Sequence, residues 1–400
     1  MSINTLFVLI ILGGWFSGKI SEKLSLPSVL GMTLWGILLS LFFRDIFPAV
    51  LWESAPFLRS LALIVILLRA GLGIEKDVLK EIGTTSLKMA FIPCLFEGAA
   101  VAALCRYFLG FPWPESGMMG FILAAVSPAV VVPAMLTLKQ QGQRKKNLTP
   151  TLILAGASLD DITAITFFTV FLNFSSGNRI NMAGSALSIP YSIVLGILSG
   201  ILAGFFFSWL FKKYFFRIRA TEKTIILLGF SVLLLQIGSY LHIAGLLSVM
   251  TLGFILLEKA ETAAHEVADK FSKVWVLAEI FLFVLVGMAV NVETALRSGF
   301  AGLVIIFSGL VFRGIGVLAS LIGTRFSLKE RLFCVIAYVP KATVQAALGS
   351  IPLLSGAAGG EMILSIAVLS ICVTAPLGLI GMRYSAPGLL GLSLAKNPGS

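Results

Sequence analysis

Long apolar stretches alternate along the chain with short polar connections. Apolar runs lie at about 2–18, 25–43, 57–74, 86–109, 116–138, 148–173, 187–211, 221–241, 243–257, 272–290, 298–323, 330–351 and 361–382. A helix needs ~20 apolar residues to cross the hydrocarbon core of a bilayer. The pattern therefore predicts an all-α membrane protein with about thirteen transmembrane helices, and connections too short to hold a soluble domain. The first run lacks a basic leader and a small-residue cleavage site, so it reads as a first span rather than a removed signal peptide.

Composition supports this reading and adds little else. Hydrophobic residues make up 58% of the chain and charged ones 12%, where soluble domains average roughly 25% charged. Cys94, Cys105, Cys334 and Cys372 all fall in apolar runs without CxxC spacing. They read as small buried hydrophobes, not as disulfides or a metal centre.

A net charge of +11 raises the question of nucleic acid, and its placement answers it. Connections after odd-numbered spans carry clusters such as Lys76, Lys80 and Lys88, Lys139, Arg144, Lys145 and Lys146, or Lys212, Lys213, Arg217, Arg219 and Lys223. Connections after even-numbered spans carry only five basic residues in all: Arg44, Arg59, Arg106, Arg179 and Arg297. Basic residues are retained on the cytoplasmic side. The expected topology thus has the N-terminus outside and the C-terminus, with Arg383 and Lys396, in the cytoplasm. The basicity is a topology signal, reinforced by anionic membrane lipid, and no nucleic-acid partner is expected.

The chemistry lies in the few charges left inside the spans. Asp160 and Asp161 are adjacent in the middle of the sixth, where one ionised carboxylate costs about 3 kcal/mol. Glu97 in the fourth span, Arg313 in the eleventh and Lys341 in the twelfth are each about ten residues from both ends of their helix, which is half a bilayer. Five ionisable groups therefore reach the midplane together, and mutual pairing is expected. Fully ionised they sum to −1, which one proton or one monovalent cation neutralises. Neighbouring carboxylates also titrate as a coupled pair. Their side chains point about 100° apart on a helix, so one faces the ion and the other a basic partner, in either order. Ser127, Ser158, Thr163, Thr343 and Gln345 can add neutral oxygens for a hard cation, although Ser and Thr more often pack between helices. Arg69 and Glu279, nearer the ends of their spans, read as side chains reaching toward an interface.

Prolines flank the charges. Ser127-Pro128-Ala129-Val130-Val131-Val132-Pro133 interrupts the fifth span and Tyr338-Val339-Pro340-Lys341 the twelfth. Such breaks are tolerated where backbone lines a cavity, and transporters with inverted repeats build ion sites from them. Lys341 is expected to offset the negative helix ends and to bond the freed carbonyls. Spans four to six and eleven to thirteen then match as three-helix inverted repeats.

These residues carry a family resemblance. Leu68-Arg69-Ala70-Gly71-Leu72-Gly73, the Ser127–Pro133 stretch, Leu159-Asp160-Asp161-Ile162 and Val339-Pro340-Lys341-Ala342-Thr343-Val344-Gln345 resemble the monovalent cation:proton antiporter superfamily, in particular the paired-aspartate sodium/proton antiporters and the bacterial relatives of the solute-carrier 9B exchangers. The resemblance implies two crossed broken helices in a core domain, at about 86–173 and 298–382, and a scaffold domain, at about 1–74 and 187–290, that forms a homodimer. It also implies a bacterial inner-membrane location, Na+ or Li+ and H+ bound at Asp160 and Asp161, a Glu97–Arg313 ion pair, and elevator-like movement of the core. No cofactor is implied.

Many charge-moving relatives have a lysine where Arg313 stands. Arginine does not release its proton in proteins. This favours one-for-one, electroneutral exchange, with Lys341 leaving the matter open. An intramembrane aspartyl protease needs its aspartates on separate facing helices, so no enzyme is expected. A K+/H+ antiporter and a sodium-coupled solute symporter of related fold are the alternatives.

Overall fold

The computed structural model describes residues 2–43, 46–73, 83–145, 148–175, 182–241 and 243–392. Arg44, Lys76, Lys80, Lys146, Arg179, His242 and Lys396 lie outside them, as do the side chains of Lys139, Arg144, Lys145 and Ser158.

Among the described residues all regular structure is helical. The first four helices are α1 (Ile3–Lys23), α2 (Ser28–Phe43), α3 (Ala49–Leu72) and α4 (Thr84–Phe108). Next come α5 (Trp113–Ala124), α6 (Pro128–Lys145), α7 (Thr149–Ser175), α8 (Met182–Lys213), α9 (Ala220–Leu241) and α10 (Gly245–Lys259). The last are α11 (Glu261–Ala289), α12 (Val292–Ser320), α13 (Leu328–Ala337), the short α14 (Thr343–Leu348) and α15 (Ile351–Leu354), and α16 (Gly360–Leu390). Ten helical segments among the described residues are long and apolar enough to cross a membrane. The predicted spans at 25–43 and 243–257 fall on the shorter helices α2 and α10.

Polar residues set several helix ends. Asn291 caps α12 by accepting from the amides of Glu293 and Thr294. Ser327 and Glu330 form a reciprocal capping box at the start of α13, which satisfies amides that the first turn leaves without partners.

Both predicted breaks are present, and one is narrower than expected. Helix α5 stops because Ala125 turns extended (φ −77°, ψ 137°). Pro128 then opens α6, where its missing N–H costs nothing. Pro133 lies inside α6, which continues through it, so the interruption is confined to residues 125–127. In the second break α13 ends at Ala337 and α14 begins at Thr343. Pro340 enforces it by lacking a donor and by disfavouring helical geometry at Val339. The two breaks touch, with the Ser127 amide donating to the Pro340 carbonyl at 2.8 Å.

The chain divides into two compact units. The first comprises Met1–Ala49, Val78–Ser176 and Phe283–Ser400. Within it α4 packs closely on α5, α7 and α12. Small residues allow this: a methyl on Gly120 would overlap the Gly98 carbonyl. The second unit comprises Val50–Asp77 and Gly177–Leu282. Its helices α8 and α10 pack along Gly196, Gly200 and Gly204, with Ser199 and Ser248 hydroxyls 2.8 Å apart. Arg69 of this unit does not simply reach outward: it lies over the Trp275 ring at 5.6 Å, with Glu279 in electrostatic range.

Candidate functional site

The five mid-span charges meet in the first unit. Asp160 and Asp161 lie on α7, Glu97 on α4, Arg313 on α12 and Lys341 in the second break. All are at least 95% buried, so a charge here that protein does not answer has no bulk water in its place.

The pairing is specific. Arg313 Nη2 donates to Asp160 Oδ2 at 2.8 Å, and Nη1 donates to Glu97 Oε2 at 2.8 Å. Lys341 Nζ donates to the same Glu97 oxygen at 2.6 Å. Asp160 Oδ2 also accepts from the Val126 amide, which the first break exposes, at 2.8 Å. Asp161 Oδ1 has no hydrogen-bond partner among the described residues. Two cations thus answer Glu97 and Asp160, and the −1 remaining from the formal sum falls on Asp161.

The role expected of Lys341 toward the freed carbonyls belongs to other residues. Its ammonium is taken by Glu97. Arg313 Nη1 bonds the Ala124 carbonyl at the end of α5, and Gln345 Nε2 bonds those of Ile122 and Ala125 at 2.7 and 3.0 Å. Geometry explains the exchange. Lys341 precedes α14 and its own amide is fixed by Thr374 Oγ1 at 2.9 Å, while Gln345, inside α14, donates to the open end of α5.

The predicted neutral oxygens divide. Ser127 Oγ, Thr343 Oγ1 and Gln345 Oε1 are buried and without partners among the described residues. Thr163 instead bonds the Ala90 carbonyl at 3.2 Å, a contact between helices. Ser158 lies outside the described side chains.

Tyr338 was not anticipated. It is fully buried, its ring centroid is 5.1 Å from Arg313 Cζ, and its hydroxyl has no partner among the described residues. The available signal was an aromatic residue two positions before the proline of a mid-span break.

A membrane-spanning helical unit that carries a net carboxylate charge beside two touching helix breaks defines a cation-translocating transporter. The comparisons specify the class. Residues 7–382 match the family "Sodium/hydrogen exchanger, transmembrane", and the chain belongs to that family. It is 34% identical to human sodium/hydrogen exchanger 9B2, over 97% of this chain and 74% of the relative. It is 33% identical to human sodium/hydrogen exchanger 9B1, over 91% and 73%. The sodium proton antiporter MjNhaP1 from Methanocaldococcus jannaschii has the same fold, with a TM-score of 0.80 over 97% of both chains at 21% identity.

Proposed function

We propose that this chain is a secondary antiporter that exchanges Na+, or Li+, for H+ at Asp161, one for one. One observation carries the reading. Of five buried charges four are paired, and Asp161 keeps the unbalanced negative one. One bound proton or one bound monovalent cation neutralises it, and both together would leave a buried excess positive charge. Membership of the sodium/hydrogen exchanger family supports Na+ and H+ as the pair over K+ and over an organic solute.

In the cycle, Asp161 holds a cation while facing one solution and a proton while facing the other. Arg313 keeps its proton throughout and holds Asp160 ionised as a fixed partner. Ser127, Thr343 and Gln345 are the candidate neutral oxygens for the cation, with Glu97 held between Arg313 and Lys341 as framework. The segments at about 86–173 and 298–382, which hold the five charges, are the moving core, and those at about 1–74 and 187–290 are a scaffold that dimerises. Thirteen crossings with the N-terminus outside and the C-terminus in the cytoplasm of a bacterial inner membrane fit the distribution of Lys and Arg.

The test is Na+-induced proton release from proteoliposomes, followed with a pH dye, with the membrane potential free and then clamped. Na+ or Li+ should collapse the pH gradient equally in both conditions, and Asp161→Asn should abolish it. Acceleration by an imposed potential would refute one-for-one exchange, and a normally active Asp161→Asn would refute the site.

A further inference from the structure

Arg313 divides its donors among Asp160, Glu97 and the Ala124 carbonyl. Which carboxylate it answers depends on the tilt of one guanidinium plane. The Tyr338 ring faces that plane with its centroid 5.1 Å from Cζ, and both side chains are out of contact with water. A desolvated cation over an aromatic face is held in orientation as well as in place.

The outer edge of the ring is closely packed as well. Its hydroxyl abuts Gly156 on α7, where a methyl group would overlap it. Gly156 is one helical turn before Asp160 and on the same face. Farther back, Thr149 Oγ1 and Glu330 Oε1 join the starts of α7 and α13 at 3.3 Å. The two helices therefore meet at both ends of this stretch, at Thr149 with Glu330 and at Gly156 with Tyr338, the residue that follows α13.

We propose that Tyr338 is a positioning residue of the exchange cycle: its ring holds the Arg313 plane on Asp160 and so confines the unbalanced charge to Asp161. This rests on the antiport reading above. If the plane tips, the guanidinium is shared between the two aspartates and neither keeps a full charge for the cation. The charged and titratable groups around this contact are Cys94 and Glu97 on α4, Asp160 and Asp161 on α7, Arg313 on α12, and Cys334 and Lys341 on α13 and in the second break.

The experiment measures Na+-dependent proton release against pH and Na+ concentration in proteoliposomes containing the full chain. Tyr338→Phe keeps the ring and should keep the wild-type pH midpoint. Tyr338→Leu removes it and should move the midpoint by about half a unit or more, with an apparent KM for Na+ raised about threefold. Should that variant fail to fold, Tyr338→Met, closer in volume, and Gly156→Ala, which displaces the hydroxyl from α7, carry the same expectation. An unmoved midpoint and KM in the folded ring-less or displaced variants overturns the proposal, as does a Phe variant as impaired as Leu. Failure of wild type to release protons overturns the antiport reading instead, so the two failures are separable.

Discussion

Asp160 and Asp161 are adjacent in the chain and opposite in surroundings. Both Oδ1 atoms lack a partner among the described residues, and what separates the two carboxylates is that Asp160 Oδ2 accepts from Arg313 and from the Val126 amide, both at 2.8 Å. Removing one partner of a buried ion pair costs about 3–5 kcal/mol, because the other charge is left uncompensated. Asp160→Asn should therefore lower the thermal unfolding midpoint in detergent, while Asp161→Asn leaves it unchanged or raises it. A scanning fluorimetry series without Na+ checks this, and equal losses in both variants would contradict the assignment of the unbalanced charge.

Competition for a single place has a pH consequence with a definite sign. If one Na+ and one H+ exclude each other at Asp161, more Na+ requires more acid to displace it. Each tenfold rise in Na+ should move the pH midpoint of proton release downward by about one unit. A midpoint independent of Na+ would mean that the two ions bind at separate places.

Glu97 joins Arg313 and Lys341 into one network, so its members should not act additively. Glu97→Gln leaves two cations facing each other and should weaken apparent Na+ affinity at least about tenfold, since an opposing charge worth more than ~1.4 kcal/mol has gone. Combining it with Lys341→Met should restore part of the loss. A double-mutant cycle on unfolding midpoints and KM measures the coupling.

Gln345 answers two carbonyls at the end of α5, at 2.7 and 3.0 Å. Gln345→Leu leaves both without that donor. It should destabilise the protein by about 2–4 kcal/mol, from two lost bonds to buried acceptors, and lower transport in parallel. Thermal unfolding read beside initial transport rates tests this.

A larger side chain between α4 and α5 should act on folding rather than on ions. At Gly120 a Cβ already overlaps the Gly98 carbonyl, so Gly120→Leu should sharply reduce the yield of folded protein without shifting cation preference in what remains. Size-exclusion profiles of the solubilised protein provide the check.

Much of this was legible in the sequence because charges inside apolar runs stand out one at a time. Asp160, Asp161, Glu97, Arg313 and Lys341 could be singled out from hydropathy alone, and the prolines marked both breaks. The pairing was less accessible. Arg313 and Glu97 are 216 residues apart, and Lys341 and Glu97 are 244 apart. Which nitrogen answers which oxygen depends on how helices rotate about their axes, which composition does not encode. Hence Arg313 and Gln345 take the carbonyls expected of Lys341, and Tyr338 in the second break carries no charge that would single it out. Pro133 misled in the opposite direction, since a helix inside a packed unit can run through a proline.

The bond between the Ser127 amide and the Pro340 carbonyl is made wholly by main chain. It asks nothing of residue 127 except that it not be proline, and nothing of the side chain at 340. Ser127 and Thr343 can therefore be exchanged during descent while the contact that frames them stays in place, whereas Gln345 is bound to the end of α5 as well. If those two hydroxyls meet the cation as proposed, selectivity among alkali cations is a separable character, free to drift or be bred at two positions without rebuilding the backbone beneath them.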